Sequence, residues 1–439
     1  MNHLTIVLEN LKKIMSLNIT DNDTFNQLLS PLHDAWLAAD HQYLCHKLPD
    51  EQWVKSGILR VLDDLRTGCG FLQNAHLIDL LDASKSHYFG SFKSKRRLKH
   101  LESISKQLLE TQSQEAFKQN PSADLHESLK NFHLYAGDGH FHAASSHDDR
   151  NDKSKKDAVG HLYALNLRNH LLSHLILASD GSKKKPHDMG VLKRMEVEQL
   201  KQGARKGQQV IYIWDRAGID FLQWDKWKSQ SGIYFVSRVK SNHVFQKSGC
   251  HKFDKEDTIN AGVVSDEQVG NGAGRMIRRI TYIIPETGEE MQFITTLGHK
   301  VPPGVVVQLY FMRWRIEKSF DELKNKLYEQ KAWSKSNEAK TMQAACSTLA
   351  YNLAKLLNEK IEREEEIRDD RNEKKKEQRK EELLEISATL KTEIPSLRIE
   401  YQKASQLSVK FYRWLRVYIF KPSSWSESMA KLRHIYACF

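Results

Sequence analysis

Cysteine is scarce and scattered in this chain of 439 residues: Cys45, Cys69, Cys250, Cys346 and Cys438 are odd in number, and no two stand in Cys-x2-Cys spacing. That pattern speaks against a disulfide framework and against a cysteine-based zinc site, and points to reduced thiols in a reducing compartment. Long apolar runs are missing as well. No stretch approaches the roughly 20 residues needed to cross a bilayer, and the opening MNHLTIVLENLKKIM meets charge too early for a secretion signal. A cytoplasmic protein with no membrane partner is expected. There is no internal repeat.

What is present in quantity is charge. Lys and Arg number 67 against 56 Asp and Glu, a formal charge of +11, in a chain that is 40% hydrophobic. The pI is near 9.1 and the mean hydropathy is −0.60. A polyanion is the natural partner of such a balance, although net charge by itself speaks only to solubility and non-specific association. The length suffices for a large core and two or three domains.

Residues 1 to about 125 carry apolar positions at helical spacing, as in VLENLKKIMSL and VKSGILRVLDDLRTGCGFL. Within this region Tyr88, Phe89 and Phe92 precede a basic cluster, Lys93, Lys95, Arg96, Arg97 and Lys99, which suits either phosphate binding or a solvated helix face. From 131 the texture changes. NFHLYAGDGH alternates into Asp138, VGHLYALNLRNH and LLSHLILASD are two further extended segments, HDMGVLKRMEVEQLKQGA is helix-like, and QQVIYIWDRAGID is an apolar run ending at Asp215. The predicted order is strand, strand, strand, helix, strand.

Between 220 and 302 further strands are predicted, from Ile233 to Val239 and on either side of a turn at Pro285 to Gly288, with VSDEQVGNGAGR as a flexible loop. Beyond 335 the chain returns to helical spacing. From Glu362 to Glu382 nearly every residue is charged, which reads as an exposed helix or a connector. After about 400, Phe411, Trp414, Leu415 and Tyr418 form an apolar helical face.

The stretch YFMRWRIEKSFDELKNKL, Tyr310 to Leu327, is richest in chemistry. Wound as an α-helix, it sets Tyr310, Arg313, Glu317 and Lys324 within an arc of roughly 60°. Leu309, Ile316, Phe320, Leu323 and Leu327 form the adjoining apolar stripe, so one side packs while the other presents a phenol, two cations and a carboxylate. Asp321 falls near the same face and is the rival to Glu317.

The pattern Tyr-x2-Arg-x3-Glu-x6-Lys resembles the signature of DDE transposases of bacterial insertion sequences, specifically the insertion-sequence-four group, and all four residues and their three spacings match. AGDGH around Asp138 resembles the first-aspartate motif of that family, and WDRAGID, with Asp215, resembles the second. The resemblance runs over roughly residues 80 to 355.

It implies an α/β protein with an RNase H-like catalytic core, 131–219 and 303–355, interrupted by a β-rich insertion at 220–302. A helical DNA-binding region, 1–125, would precede the core, and a charged helical segment with the carboxy-terminal region, 356–439, would follow it. In such a core Asp138 bridges two divalent ions, Mg²⁺ or Mn²⁺, and Asp215 and Glu317 each complete one site. Two Asp and one Glu are suitable ligands, because hard cations take oxygen donors and a pair of them stabilises the entering and leaving oxygens of a phosphoryl displacement.

By the same resemblance Tyr310, Arg313 and Lys324 hold phosphates beside the scissile bond, and Lys93, Lys95, Arg96, Arg97 and Lys99 contribute to binding element ends. The implied activity is cleavage at those ends and joining to target DNA. The implied partners are double-stranded DNA and a second copy of the chain in a homodimeric synaptic complex, in the cytoplasm and on the nucleoid when DNA is bound.

Two alternatives stand beside this reading: a nuclease or resolvase of the same fold that cleaves without joining, and a non-catalytic DNA-binding regulator. The presence of all three carboxylates speaks against the regulator. His140, His142 and His147 with Asp148 match neither a helical His pair nor a structural zinc pattern, and local hydrogen bonding is expected of them. Trp214, Trp224 and Trp227 suit a core or the capture of a flipped base, and position alone does not choose.

Overall fold

The computed structural model describes residues 23–40, 48–64, 67–119, 126–150, 155–181, 188–201, 203–239, 243–270, 275–285, 287–390 and 406–438. The chain divides into two units, one drawn from Met1–Leu108, Glu322–Arg371 and Leu407–Phe439, the other from Leu109–Asp321 and Asn372–Gln406. The segment 303–355, expected to belong to one catalytic core, is thus shared between them. The amino-terminal segment MNHLTIVLENLKKIM and Cys45 lie outside the described residues.

The first unit is helical. Helices Asp23–Leu29, Asp50–Leu62, Asn337–Glu364, Val409–Tyr418 and Trp425–Cys438 contribute Phe25, Trp53, Ile58, Leu349, Leu353, Trp414 and Leu432 to its core, each at most 2% exposed. Gly57 allows two of these helices to approach closely, since a Cβ there would lie 2.7 Å from the Cys346 sulfur. The apolar face expected at Phe411, Trp414, Leu415 and Tyr418 is buried. The charged stretch after Glu362 is carried by the end of helix Asn337–Glu364 and by helix Asp370–Leu390.

Among the described residues, the second unit is organised on one mixed sheet of nine strands. These are β1 (Phe132–His142), β2 (Val159–Asn166), β3 (Leu172–Asp180), β4 (Gln209–Ile213), β5 (Ile233–Arg238), β6 (Gln246–Cys250), β7 (Val263–Gly270), β8 (Met276–Ile283) and β9 (Glu290–Thr295). Their spatial order is β3-β2-β1-β4-β5-β9-β8-β7-β6. β2 runs antiparallel to both β1 and β3, whereas β4 is parallel to β1 and β5 to β4. Helices Asp188–Leu192 and Val197–Lys201 separate β3 from β4, in the predicted order.

The strands of 220–302 extend the same sheet, β9 pairing antiparallel with β5, and one expectation for this stretch needs correction. The stretch VSDEQVG, expected in a loop, is β7. Its acids are matched across the ladder: Asp266 accepts two hydrogen bonds from the Arg278 guanidinium at 2.8 and 2.6 Å with both side chains buried, and Glu267 pairs with Arg279 at 2.6 Å. Cross-strand partners stabilise a strand that composition alone reads as polar loop.

Side chains alternate between the faces of the sheet. On one face Tyr135, Leu162, Tyr212, Trp214 and Phe235 pack with Met189, Leu192, Leu200, Trp224 and Trp227 from three helices. The opposite set contains Asp138, His140 and His142 on β1, His161 and Tyr163 on β2, and His174 on β3. Phe320 lies against it, 5.1 Å from His140 and 5.6 Å from Tyr163 by ring centroid. His142 stacks on His161, whose Nδ1 is 2.9 Å from Nε2 of His174.

Burial pushes the His174 imidazole down to about 4, against a backbone hydrogen bond at Ile176 that acts the other way. The unfolded chain takes up a proton near pH 6.5 that the folded chain refuses, so the contribution of this residue is full above about pH 6.5 and is lost as pH falls toward 4. The melting temperature is expected to fall across that window, and less steeply in His174→Asn. Parallel curves for the two proteins would overturn the assignment.

Candidate catalytic site

The first two carboxylates are set by strand register. β1 and β4 pair in parallel from Phe132 with Gln209 to Ala136 with Ile213. Continued by two residues, that register brings Asp138 level with Asp215, just beyond the end of β4, on neighbouring strands whose usual spacing is about 4.8 Å. Their shared parity directs both side chains toward the same face of the sheet.

Gly137 has a specific reason to be glycine. A Cβ at that position would lie 2.3 Å from the Trp214 ring, so the residue before Asp138 makes room for the indole that precedes Asp215. Trp214 is 1% exposed, and its backbone N–H donates to the carbonyl of Val236 at 3.0 Å. Asp215 then caps a short turn, Arg216–Gly218: its Oδ1 accepts from the Ala217 N–H at 2.8 Å, and its carbonyl accepts from Ser237 Oγ at 3.0 Å.

Glu317 comes from helix Trp314–Asp321, which packs over β1 and β2. Arg313 joins this helix to the preceding one, Pro303–Met312, at a tightened turn in which Arg313 N–H bonds the Tyr310 carbonyl and Ile316 N–H bonds the Arg313 carbonyl. Its guanidinium donates from Nη1 to Asp138 Oδ2 and from Nη2 to Glu317 Oε1, both at 2.9 Å. Asp138 Oδ1 accepts from the Gly139 N–H at 2.8 Å. Tyr310 lies beside this group, with its ring centroid 5.8 Å from Arg313 Cζ.

These side chains are recessed but reachable, with 12% of Arg313, 22% of Asp138 and 33% of Glu317 exposed. Burial raises the Asp138 carboxyl to about 6; Arg313 and the Gly139 N–H oppose the rise, while the charges of Asp215 and Glu317 add to it. Burial pulls the Arg313 guanidinium down, but Asp138, Tyr310 and Glu317 outweigh it and lift the group above its ordinary value. Asp215 and Glu317 therefore both act on Asp138, and Arg313 is the cation that opposes them.

Their donor chemistry is oxygen only, which suits Mg²⁺ or Mn²⁺, ions that retain water and substrate phosphate as further ligands. Among the described residues no group of three or more His, Cys, Asp and Glu side chains is gathered as a metal-binding cluster. The Arg313 guanidinium instead links two of the carboxylates.

The other sequence-derived residues have settings of their own. Asp321 is exposed and accepts from Gln406 Nε2 at 2.9 Å. Lys324 belongs to the first unit and is exposed on a π-turn, Glu322–Lys326. The single α-helix expected from Tyr310 to Leu327 is therefore broken, and regular winding no longer groups Lys324 with the other three residues. Buried Glu322 anchors the turn: its carboxylate accepts from Lys355 Nζ at 3.2 Å, Leu407 N–H at 3.0 Å and Tyr412 Oη at 3.0 Å.

The basic cluster also separates. Arg96 makes two hydrogen bonds to Asp50 at 2.5 and 2.7 Å, while buried Arg97 pairs with Asp50 at 3.2 Å and donates to the Leu48 carbonyl at 2.7 Å. Lys93, Lys95 and Lys99 are exposed. Helical spacing does not distinguish an arginine turned inward from one in solvent when the acid that receives it is distant in sequence.

His147 is exposed, and Asp148 accepts from the Ser145 N–H at 2.6 Å. Trp214, Trp224 and Trp227 are 1%, 0% and 4% exposed and serve the core. An aromatic that sequence reasoning did not single out is Trp314, 58% exposed and adjacent to Arg313. Its only sequence signal was its place in the signature stretch. An exposed indole there provides a surface for stacking.

Gly137→Ala forces the added methyl against Trp214. A loss of about 1–3 kcal/mol is expected, as for other overpacked cores, and chemical unfolding of the purified variant measures it. An unchanged unfolding curve would show that Trp214 gives way without cost.

No curated protein matches the chain. Residues 138–353 match the family model described as the transposase DDE domain. Beginning at Asp138 and taking in Asp215, Glu317 and Lys324, that match supports a DDE transposase.

Proposed function

We propose that this protein is a transposase of the insertion-sequence-four group that cleaves DNA at the ends of an insertion sequence and joins those ends to target DNA. The observation that carries the reading is that Arg313 bridges Asp138 and Glu317 while the strand register brings Asp215 level with Asp138 on the same side of the sheet. The order β3-β2-β1-β4-β5, with three antiparallel strands followed by two parallel to β1, supports an RNase H-like core. Strands β6 to β9, between Asp215 and Glu317 in sequence, support an insertion built onto that sheet.

Asp138 would contribute to both of two Mg²⁺ or Mn²⁺ sites, with Asp215 completing one and Glu317 the other. When bound, the ions supply an activated water and neutralise charge on the entering and leaving oxygens. The chain supplies position: backbone N–H groups of Gly139 and Ala217 each orient one oxygen of an aspartate. Tyr310, Arg313 and Lys324 are assigned to flanking phosphates, the phenol as a hydrogen-bond donor and the cations as counter-charge. Cleavage uses water and joining uses a free 3′-hydroxyl, so no protein nucleophile enters the scheme. Two ends must be held together, for which a homodimer is assigned.

Asp138→Ala, Asp215→Ala and Glu317→Ala are each expected to abolish cleavage of a labelled element-end duplex while leaving DNA binding largely intact. Asp321→Ala should retain activity. A dead Asp321→Asn beside a near-wild-type Glu317→Gln would transfer the role to Asp321, and cleavage without joined product would make the protein a nuclease.

Lys93, Lys95 and Lys99 are assigned to DNA ends. Neutralising all three should weaken binding and reduce the slope of log affinity against log salt by as much as about 2.7, at roughly 0.9 per phosphate contact. An unchanged slope would return these lysines to a solvated face.

A further inference from the structure

We propose that Arg313 is a resident counter-ion that the divalent ion displaces, so that ion binding releases the guanidinium toward a DNA phosphate. The inference rests on the assignment of Asp138, Asp215 and Glu317 as ion ligands. It adds to that assignment a competition between two cations for the same oxygens.

The occupied atoms carry the argument. Asp138 has two carboxylate oxygens: Oδ1 accepts from Gly139 N–H, and Oδ2 accepts from Arg313 Nη1 at 2.9 Å. Glu317 Oε1 accepts from Nη2 of the same guanidinium, also at 2.9 Å. An ion shared by Asp138 and Glu317 competes with Arg313 for Asp138 Oδ2 and Glu317 Oε1, while Glu317 Oε2 is not engaged by the guanidinium. Among the described residues, the hydrogen bonds of this guanidinium run to those two carboxylates, and its Nε is buried without a partner. Its stabilising partners are thus the groups that an ion would engage, with the Tyr310 ring beside them.

Charge points the same way. Three carboxylates and one guanidinium sum to −2, so one divalent ion balances the group, and a second leaves an excess of +2 while Arg313 remains. At a few ångström and reduced dielectric, such repulsion is large compared with thermal energy. Arg313 can relieve it by leaving the carboxylates, and a phosphate brought by DNA offers the anion it then lacks. Its planar fork suits phosphate as well as carboxylate. In the absence of ions the same residue offsets the repulsion among the acids, which gives it a role before DNA arrives.

The test is calorimetric titration of the full chain with Mn²⁺ in the absence of DNA, comparing wild type with Arg313→Met, Arg313→Lys and Asp138→Asn. Removing a unit charge a few ångström from the ligands should make Arg313→Met bind Mn²⁺ about tenfold more tightly. Arg313→Lys keeps the charge but cannot bridge two carboxylates with a planar fork, so its affinity should lie between those of wild type and Arg313→Met. It also supplies the comparison if Arg313→Met fails to fold. Unchanged or weaker binding in a folded Arg313→Met, or in Arg313→Lys where that is the folded variant, would overturn the proposal while a defect in Asp138→Asn upheld the ligand assignment. Identical titrations of wild type and Asp138→Asn would overturn the ligand assignment itself.

Discussion

The two hydrogen bonds from Arg313 connect a strand residue to a helix residue and span 175 positions of sequence on the Asp138 side but only four on the Glu317 side. This interaction holds acid groups together on the packed side of a sheet, where mutual repulsion would otherwise separate them. A carboxylate left alone in such a setting becomes protonated or gains a counter-charge. The raised Asp138 and the raised Arg313 express these opposing pulls, burial acting against the neighbouring charge in each case.

The sheet makes this arrangement specific. β1 is hydrogen-bonded on both sides, antiparallel to β2 and parallel to β4, so Asp138 cannot slip in register without disrupting two ladders. A slip by one residue would turn its side chain to the aromatic face, where Trp214 leaves no room for even a methyl at Gly137. The two faces therefore have different jobs. One is an apolar core sealed by Trp224 and Trp227, and the other carries acids and imidazoles beneath helix Trp314–Asp321.

Much of the candidate site was legible in the sequence because its parts are local. The apolar runs into Asp138 and Asp215 predict strands, and the offset of 77 positions between the paired residues of β1 and β4 is also the offset between the two aspartates. Glu317 and Arg313 are one helical turn apart, so periodicity joins them. β7 was not legible, because Asp266 and Glu267 look like loop residues until Arg278 and Arg279 stand across from them. Arg97 looked like a phosphate ligand until Asp50 was brought beside it.

The sequence by itself determined the strands that lead into Asp138 and Asp215 and the packing stripe of the signature stretch, since each follows from residue type and spacing along a few turns or strands. Only the tertiary structure decided that the strands after Asp215 join the first sheet, that a buried Glu322 opens a π-turn before Lys324, and which arginines turn inward. Those outcomes depend on partners far apart in the chain, Tyr412 for Glu322 and Asp50 for Arg96 and Arg97. Local periodicity carries no information about a charge that arrives from elsewhere, and in a buried setting the arrival of that charge decides the conformation.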